Sequence, residues 1–128
     1  MTTTTTTTYV RVYADAAGDS HFEDVEVELV PRDYAPPAPA LSLSPVMPAT
    51  GFAFVRIPAG WSGDWHPTPL RQVFVYLAGE VEGETSDGEV RRFGPGSVTL
   101  AEDTTGTGHR SRVVGDADAL LVVAQLPG

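Results

Sequence analysis

Cysteine is absent from this chain. No disulfide, thiolate ligand or thiol nucleophile can therefore form. Lysine is absent as well, and all eight basic residues are arginines. That excludes a lysine Schiff base and a lysine general base. Asparagine is missing, and Ile57 is the only isoleucine. Lys, Asn and Ile use AT-rich codons, so the bias points to a GC-rich bacterial genome. Positive charge is scarce, with a formal net charge of −9. A nucleic-acid partner needs a basic face, and none is expected here. Long apolar runs are lacking too. The longest are strand-length, such as Val73 to Ala78, against the roughly 20 residues that span a membrane. The N-terminus shows no basic stretch followed by an apolar one. The expectation is a cytoplasmic protein with no membrane partner.

What is present reads as β structure. The 128 residues suffice for one domain with a real core. Thr2 to Thr8 has no apolar partner and is expected to be a disordered tail over residues 1–8. Residues 9–127 then form the domain. Alternation predicts strands at Tyr9–Tyr13 and His21–Val30. Pro31, Pro36, Pro37 and Pro39 mark an extended connector. Further strand signals cover Phe52–Ile57, Gln72–Leu77, Glu80–Thr85, Glu89–Phe93, Ser97–Ala101, Gly108–Val114 and Ala119–Leu126. Asp87-Gly88 between two alternating runs predicts a tight hairpin, because a primed turn needs positive φ. No amphipathic helix of three turns is found. Many short strands at close turn spacing imply a sandwich, jelly roll or small barrel. The acidic residues Glu80, Glu82 and Glu84 alternate with small or apolar ones, as on a solvated sheet face.

One stretch carries a more specific pattern. Gly60 is followed after five residues by His66, after one more by Thr68, after three by Gln72 and after six by Gly79. Downstream, Gly106-Thr107-Gly108-His109 follows the turn Gly94-Pro95-Gly96. Together these resemble the two-part signature of the cupin superfamily. The first cupin motif has a second histidine where Thr68 stands and a glutamate where Gln72 stands. In the second motif, Thr104 occupies the place of a proline, and the asparagine position falls at Val113. The resemblance implies an all-β, cupin-type jelly-roll β-barrel of one domain, with residues 9–30 as extra N-terminal strands. It also implies a homodimer, since many cupins pair through their sheets.

Cupins place three imidazoles and one carboxylate on a divalent metal such as Fe, Zn, Ni, Cu or Mn. Here the resemblance assigns His66, Gln72 and His109 to the metal position. A neutral amide is a poor ligand for these ions, because it brings no charge to offset the metal's. Glu102 and Asp103, just upstream of His109, are the carboxylates within reach. Strand alternation puts Gln72, Phe74 and Tyr76 on one face and His109 with Ser111 on another. Thr68 is expected to face inward with His66, and Trp61 and Trp65 to sit at the rim. The expected site therefore has His66, His109 and Tyr76 as catalytic groups. Trp65, Thr68, Gln72, Phe74 and Ser111 bind a small organic molecule. Three readings stay open: a metal-dependent, oxygenase-like enzyme; a metal-free isomerase, lyase or cyclase using histidine as acid or base; and a non-catalytic binder with a degenerate site. With a GC-rich bacterial source, the resemblance to small cupins implies a setting in bacterial secondary metabolism. His21, beside Phe22, Glu23 and Asp24, reads as a structural histidine.

Overall fold

A computed structural model describes residues 5–128. Among these residues there are eleven strands and no helix. They are β1 (Thr5–Ala14), β2 (Ser20–Arg32), β3 (Leu41–Leu43), β4 (Gly51–Ile57), β5 (Ser62–His66) and β6 (Gln72–Ala78). The rest are β7 (Glu80–Thr85), β8 (Val90–Phe93), β9 (Val98–Ala101), β10 (His109–Val114) and β11 (Ala119–Gln125).

From β4 onward the chain passes back and forth between two sheets, except that β7 and β8 form a hairpin within one. One sheet runs β4-β11-β6-β9 and the other β5-β10-β7-β8. Eight strands paired in this way make the two Greek keys of a jelly roll. The strands β1, β2 and β3 extend the first sheet to seven by adding β1 parallel to β9. β1 and β2 are the extra N-terminal strands expected over residues 9–30, and β3 adds to them beyond those bounds.

The threonine run departs from expectation. Thr5 to Thr8 belong to β1 and pair with Glu26 to Leu29 of β2. β-Branched threonine suits a pleated strand, and the partner strand satisfies its backbone. The remainder of the expected tail, residues 1–4, lies outside the described residues. The predicted hairpin forms between β7 and β8 through Thr85–Glu89, but not with a primed turn: Gly88 alone has positive φ, +95°, and its amide donates to the Thr85 carbonyl at 3.0 Å, a turn closed by a glycine bulge.

The core lies between the sheets. Tyr76, Val81, Phe93, Val113, Ala119 and Leu121 form its buried cluster. Each alternates with an outward neighbour, as a half-buried strand requires. Burying a side chain such as Leu121, 2% exposed, contributes roughly 1.5–3 kcal/mol. On the outer face of the smaller sheet, Glu82 sits 3.1 Å from both Arg92 and Arg112, and Glu84 pairs with Arg110 at 3.0 Å. Those arginines, led by Arg112, hold the Glu82 carboxyl below its ordinary value. The acidic run is thus a charge-balanced outer surface. Among the described residues no helix is long and apolar enough to cross a membrane.

Candidate functional site

Strand pairing brings the two motifs together. On β5 and β10, His66 lies directly opposite His109. Their ring centroids are 4.9 Å apart, tilted by 56°. Between the pairs His109–His66 and Ser111–Gly63 the ladder carries one extra residue on β5. This bulge keeps both His66 and Gly63 on the barrel side. Gly108 allows the close approach. Its φ is +75°, and an added Cβ would collide with the carbonyl of His66.

Both rings are oriented through Nδ1. For His66, Nδ1 lies 2.7 Å from the backbone carbonyl of Asp64, so in the neutral ring it donates there. For His109, Nδ1 lies 2.6 Å from Oδ2 of Asp103. Asp103 is fully buried, and its Oδ1 accepts a 2.7 Å hydrogen bond from the Thr68 hydroxyl. The Thr68 amide also donates to the Asp103 carbonyl at 3.0 Å. Thr68, Asp103 and His109 thus form one chain, in which each carboxylate oxygen has a partner. The Nε2 atoms of His66 and His109 make no hydrogen bond within the described protein.

A cavity of about 180 Å³ opens at this pair. His66, His109, Ser111, Phe74, Tyr76 and Trp61 contribute to its wall, with Phe22, Phe93 and aliphatic side chains deeper in. His66 is exposed at the mouth, while Tyr76 is 7% exposed. Burial pushes the Tyr76 phenol above its ordinary value, against the opposing pull of its hydrogen bond with Thr99. It therefore stays protonated across the physiological range.

Five expected site residues line this cavity: His66, Phe74, Tyr76, His109 and Ser111. Three do not. Trp65 neighbours His66 and so points to the other face, where the Arg110 guanidinium lies 4.9 Å from its ring. Trp61 lines the cavity instead, because Gly63 leaves room for its indole. Thr68 is not on the strand. Prolines 67 and 69 flank it and cannot donate to a ladder, so β5 ends at His66 and Thr68 turns back to Asp103. Gln72 faces the barrel side beside Ala101, but it stands one inward step beyond Phe74 and bonds neither histidine.

The residue that sequence reasoning placed within reach without a role is Asp103. Its neighbour Glu102 points outward. Burial raises the Glu102 pKa, but hydrogen bonds from Arg11 (2.6 Å) and Arg71 (2.7 Å) hold it below its ordinary value overall. Alternation alone would have put one of the two inside. It could not say which, because both lie beyond the end of β9.

These residues do not fit the expected metal set. Two imidazole nitrogens face the cavity, Asp103 has both oxygens engaged, and Gln72 stands away. Among the described residues no group of three or more His, Asp or Glu side chains is placed to hold a metal ion. What the arrangement can do is accept a proton at Nε2 of His109. The carboxylate behind it holds the tautomer and stabilises the imidazolium that forms.

The two motif histidines lie on neighbouring strands of one sheet of a jelly roll. The fold is a jelly roll, the architecture that the resemblance to cupins implies. Among solved structures, the chain is similar to the cupin domain of Cnp3 from Schizosaccharomyces pombe, at 13% identity and a TM-score of 0.49 over 94% of this chain and 88% of that one. It is also similar to an ethanolamine utilization protein Q from Salmonella typhimurium, at 14% identity and a TM-score of 0.41 over 96% and 98%. Protein NMB1881 from Neisseria meningitidis matches at 20% identity and a TM-score of 0.46 over 59% and 72%. No family model and no curated protein matches the chain.

Proposed function

We propose that this protein is an enzyme that binds a small organic molecule in its barrel and moves a proton on it without a metal. His109 is the base, acting through Nε2. Asp103 positions it, and Thr68 holds Asp103. His66, at the mouth, is the second proton-handling group, and Tyr76 and Phe74 shape the floor against the ligand. The single observation that carries this reading is the 2.6 Å bond between a fully buried Asp103 and His109 Nδ1. A carboxylate backing an imidazole supports general-base catalysis. The same carboxylate, with both oxygens engaged, is not a direct ligand in this arrangement. The reaction class is isomerisation, elimination or cyclisation begun by removing a proton next to a carbonyl or from a hydroxyl.

The test is proton exchange. Neutral cyclic ketones would be incubated with the protein in deuterium oxide, and α-deuteration followed by proton NMR. Enhanced exchange is expected with the wild type, and a loss of about 10²-fold or more in His109→Ala. Wild-type rates in a His66→Ala/His109→Ala variant would overturn the assignment.

We also infer that two copies associate through the outer face of the larger sheet. Rows Phe54–Val122–Val75 and Phe52–Ala124–Val73 run across β4, β11 and β6. Phe52 and Phe54 are 65% and 67% exposed. These three strands, at about 4.8 Å spacing and some 20 Å of length, give a footprint of roughly 300 Å² per copy, the apolar centre of an interface whose standard size is ~800 Å² per partner. These two rows carry no charge, so two acidic chains can meet there without opposing like charges.

A further inference from the structure

We infer that the cavity selects an uncharged, ring-sized ligand bearing a hydrogen-bond donor, such as a phenol or enol hydroxyl, which is received between His66 Nε2 and His109 Nε2. This rests on the acid–base reading of the same site and adds the chemical class of what enters it.

Three observations carry the inference. The first is the tautomers. A backbone carbonyl can only accept, so the neutral His66 ring must carry its proton on Nδ1, 2.7 Å from the Asp64 oxygen. His109 donates its Nδ1 proton to Asp103 in the same sense. Both rings therefore present a lone pair at Nε2, and their centroids are only 4.9 Å apart. Two adjacent acceptors without donors call for a donor from the ligand.

The second is charge. No arginine lines the cavity. Arg110 and Arg112, on the same strand as His109, turn outward to Glu84 and Glu82. Arg11 and Arg71 are held by Glu102. A carboxylate or phosphate entering the barrel would find no cation, and would leave its hydration behind in a chain of net charge −9.

The third is shape and polarity. Beyond the histidines the wall is made largely of aromatic rings and aliphatic side chains, including Phe22, Phe74, Tyr76 and Phe93. The volume of about 180 Å³ lies below the roughly 300–1,000 Å³ of drug-sized pockets. One or two rings fit it better than a longer chain.

Binding of three isosteric probes to the wild-type protein tests this: naphthol, its methyl ether and naphthoate, followed by calorimetry and by nitrogen-15 NMR of the histidine rings. Naphthol is expected to bind and to shift the Nε2 resonances of two histidines. The ether, which lacks the donor, should bind about tenfold more weakly or worse, because the paired acceptors are then left unsatisfied. Naphthoate should be weaker still. Equal binding of naphthol and ether overturns the inference, as does preferred binding of naphthoate or no saturable binding of any probe. The readout is independent of turnover. Selective naphthol binding without proton exchange would leave this inference standing and remove the catalytic one, and proton exchange without selectivity would do the reverse.

Discussion

Replacing His109 by alanine tests the buried chain behind the site, because it leaves the Asp103 carboxylate with one partner where it had two. Asp103 is 0% exposed, so the lost donor leaves its Oδ2 without a protein partner. A hydrogen bond to a charged group contributes about 1.5–3 kcal/mol, and stranding the buried acceptor adds to the loss. A cost near 3 kcal/mol follows. With Asp103→Ala already in place, no acceptor is stranded, and His109→Ala should cost only about 1 kcal/mol of packing. The coupling is then about 2 kcal/mol, within the usual range for residues in one network. Urea unfolding followed by Trp61 and Trp65 fluorescence measures it. At an m-value near 2 kcal/mol per molar, the coupling amounts to about 1 M in the midpoint. His66→Ala serves as the control. Its Nδ1 bonds the carbonyl of exposed Asp64, a contact of about 0.5–1.5 kcal/mol. Coupling below about 0.5 kcal/mol, or equal costs for the two histidines, would refute the reasoning.

Gly108→Ala should destabilise the fold by about 2 kcal/mol or more, since φ of +75° disfavours a side chain and the new methyl meets the His66 carbonyl; a melting temperature equal to that of the wild type would contradict this. His21 gives a pH dependence. Hydrogen bonds to Asp15 and then Asp87 raise its pKa above the ordinary value. Its stabilising contribution is therefore full below its unfolded pKa and is lost as pH rises through the raised folded value. The Asp15 carboxyl is lowered chiefly by the same bond, so its contribution is lost on acidification through its folded value. Melting profiles of the wild type and His21→Gln should differ most between these limits and converge at alkaline pH; parallel profiles throughout would count against it. Phe52→Asp/Phe54→Asp should turn a dimer into a monomer by light scattering, and a wild-type monomer at micromolar concentration would remove the proposed interface.

Much of this was legible in the chain. Alternation placed most of the strands, because a half-buried strand must repeat every two residues. Asp87-Gly88 marked its hairpin because Gly88 takes the positive φ that the turn needs, although Asp87 does not share it as a primed turn would require. The spacing from Gly60 to Gly79, together with Gly106 and His109, marked the barrel and named both histidines. Gln72 and Thr68 already showed that the expected ligand set was altered. The absence of lysine and cysteine narrows the chemistry by composition alone.

Tertiary structure decided what alternation cannot reach. Period two tells which side of a sheet a residue faces, but not how deep it sits. Gln72 and Phe74 share a face, yet only Phe74 lines the cavity. Thr68 and Asp103 lie off the strands, 35 residues apart, and no local pattern links them. Their bond exists because the turn after β5 and the turn after β9 meet behind His109, where a carboxylate shut away from water has to find its partners within the protein. That contact fixes the His109 ring from behind, which the spacing of the histidines alone could not show.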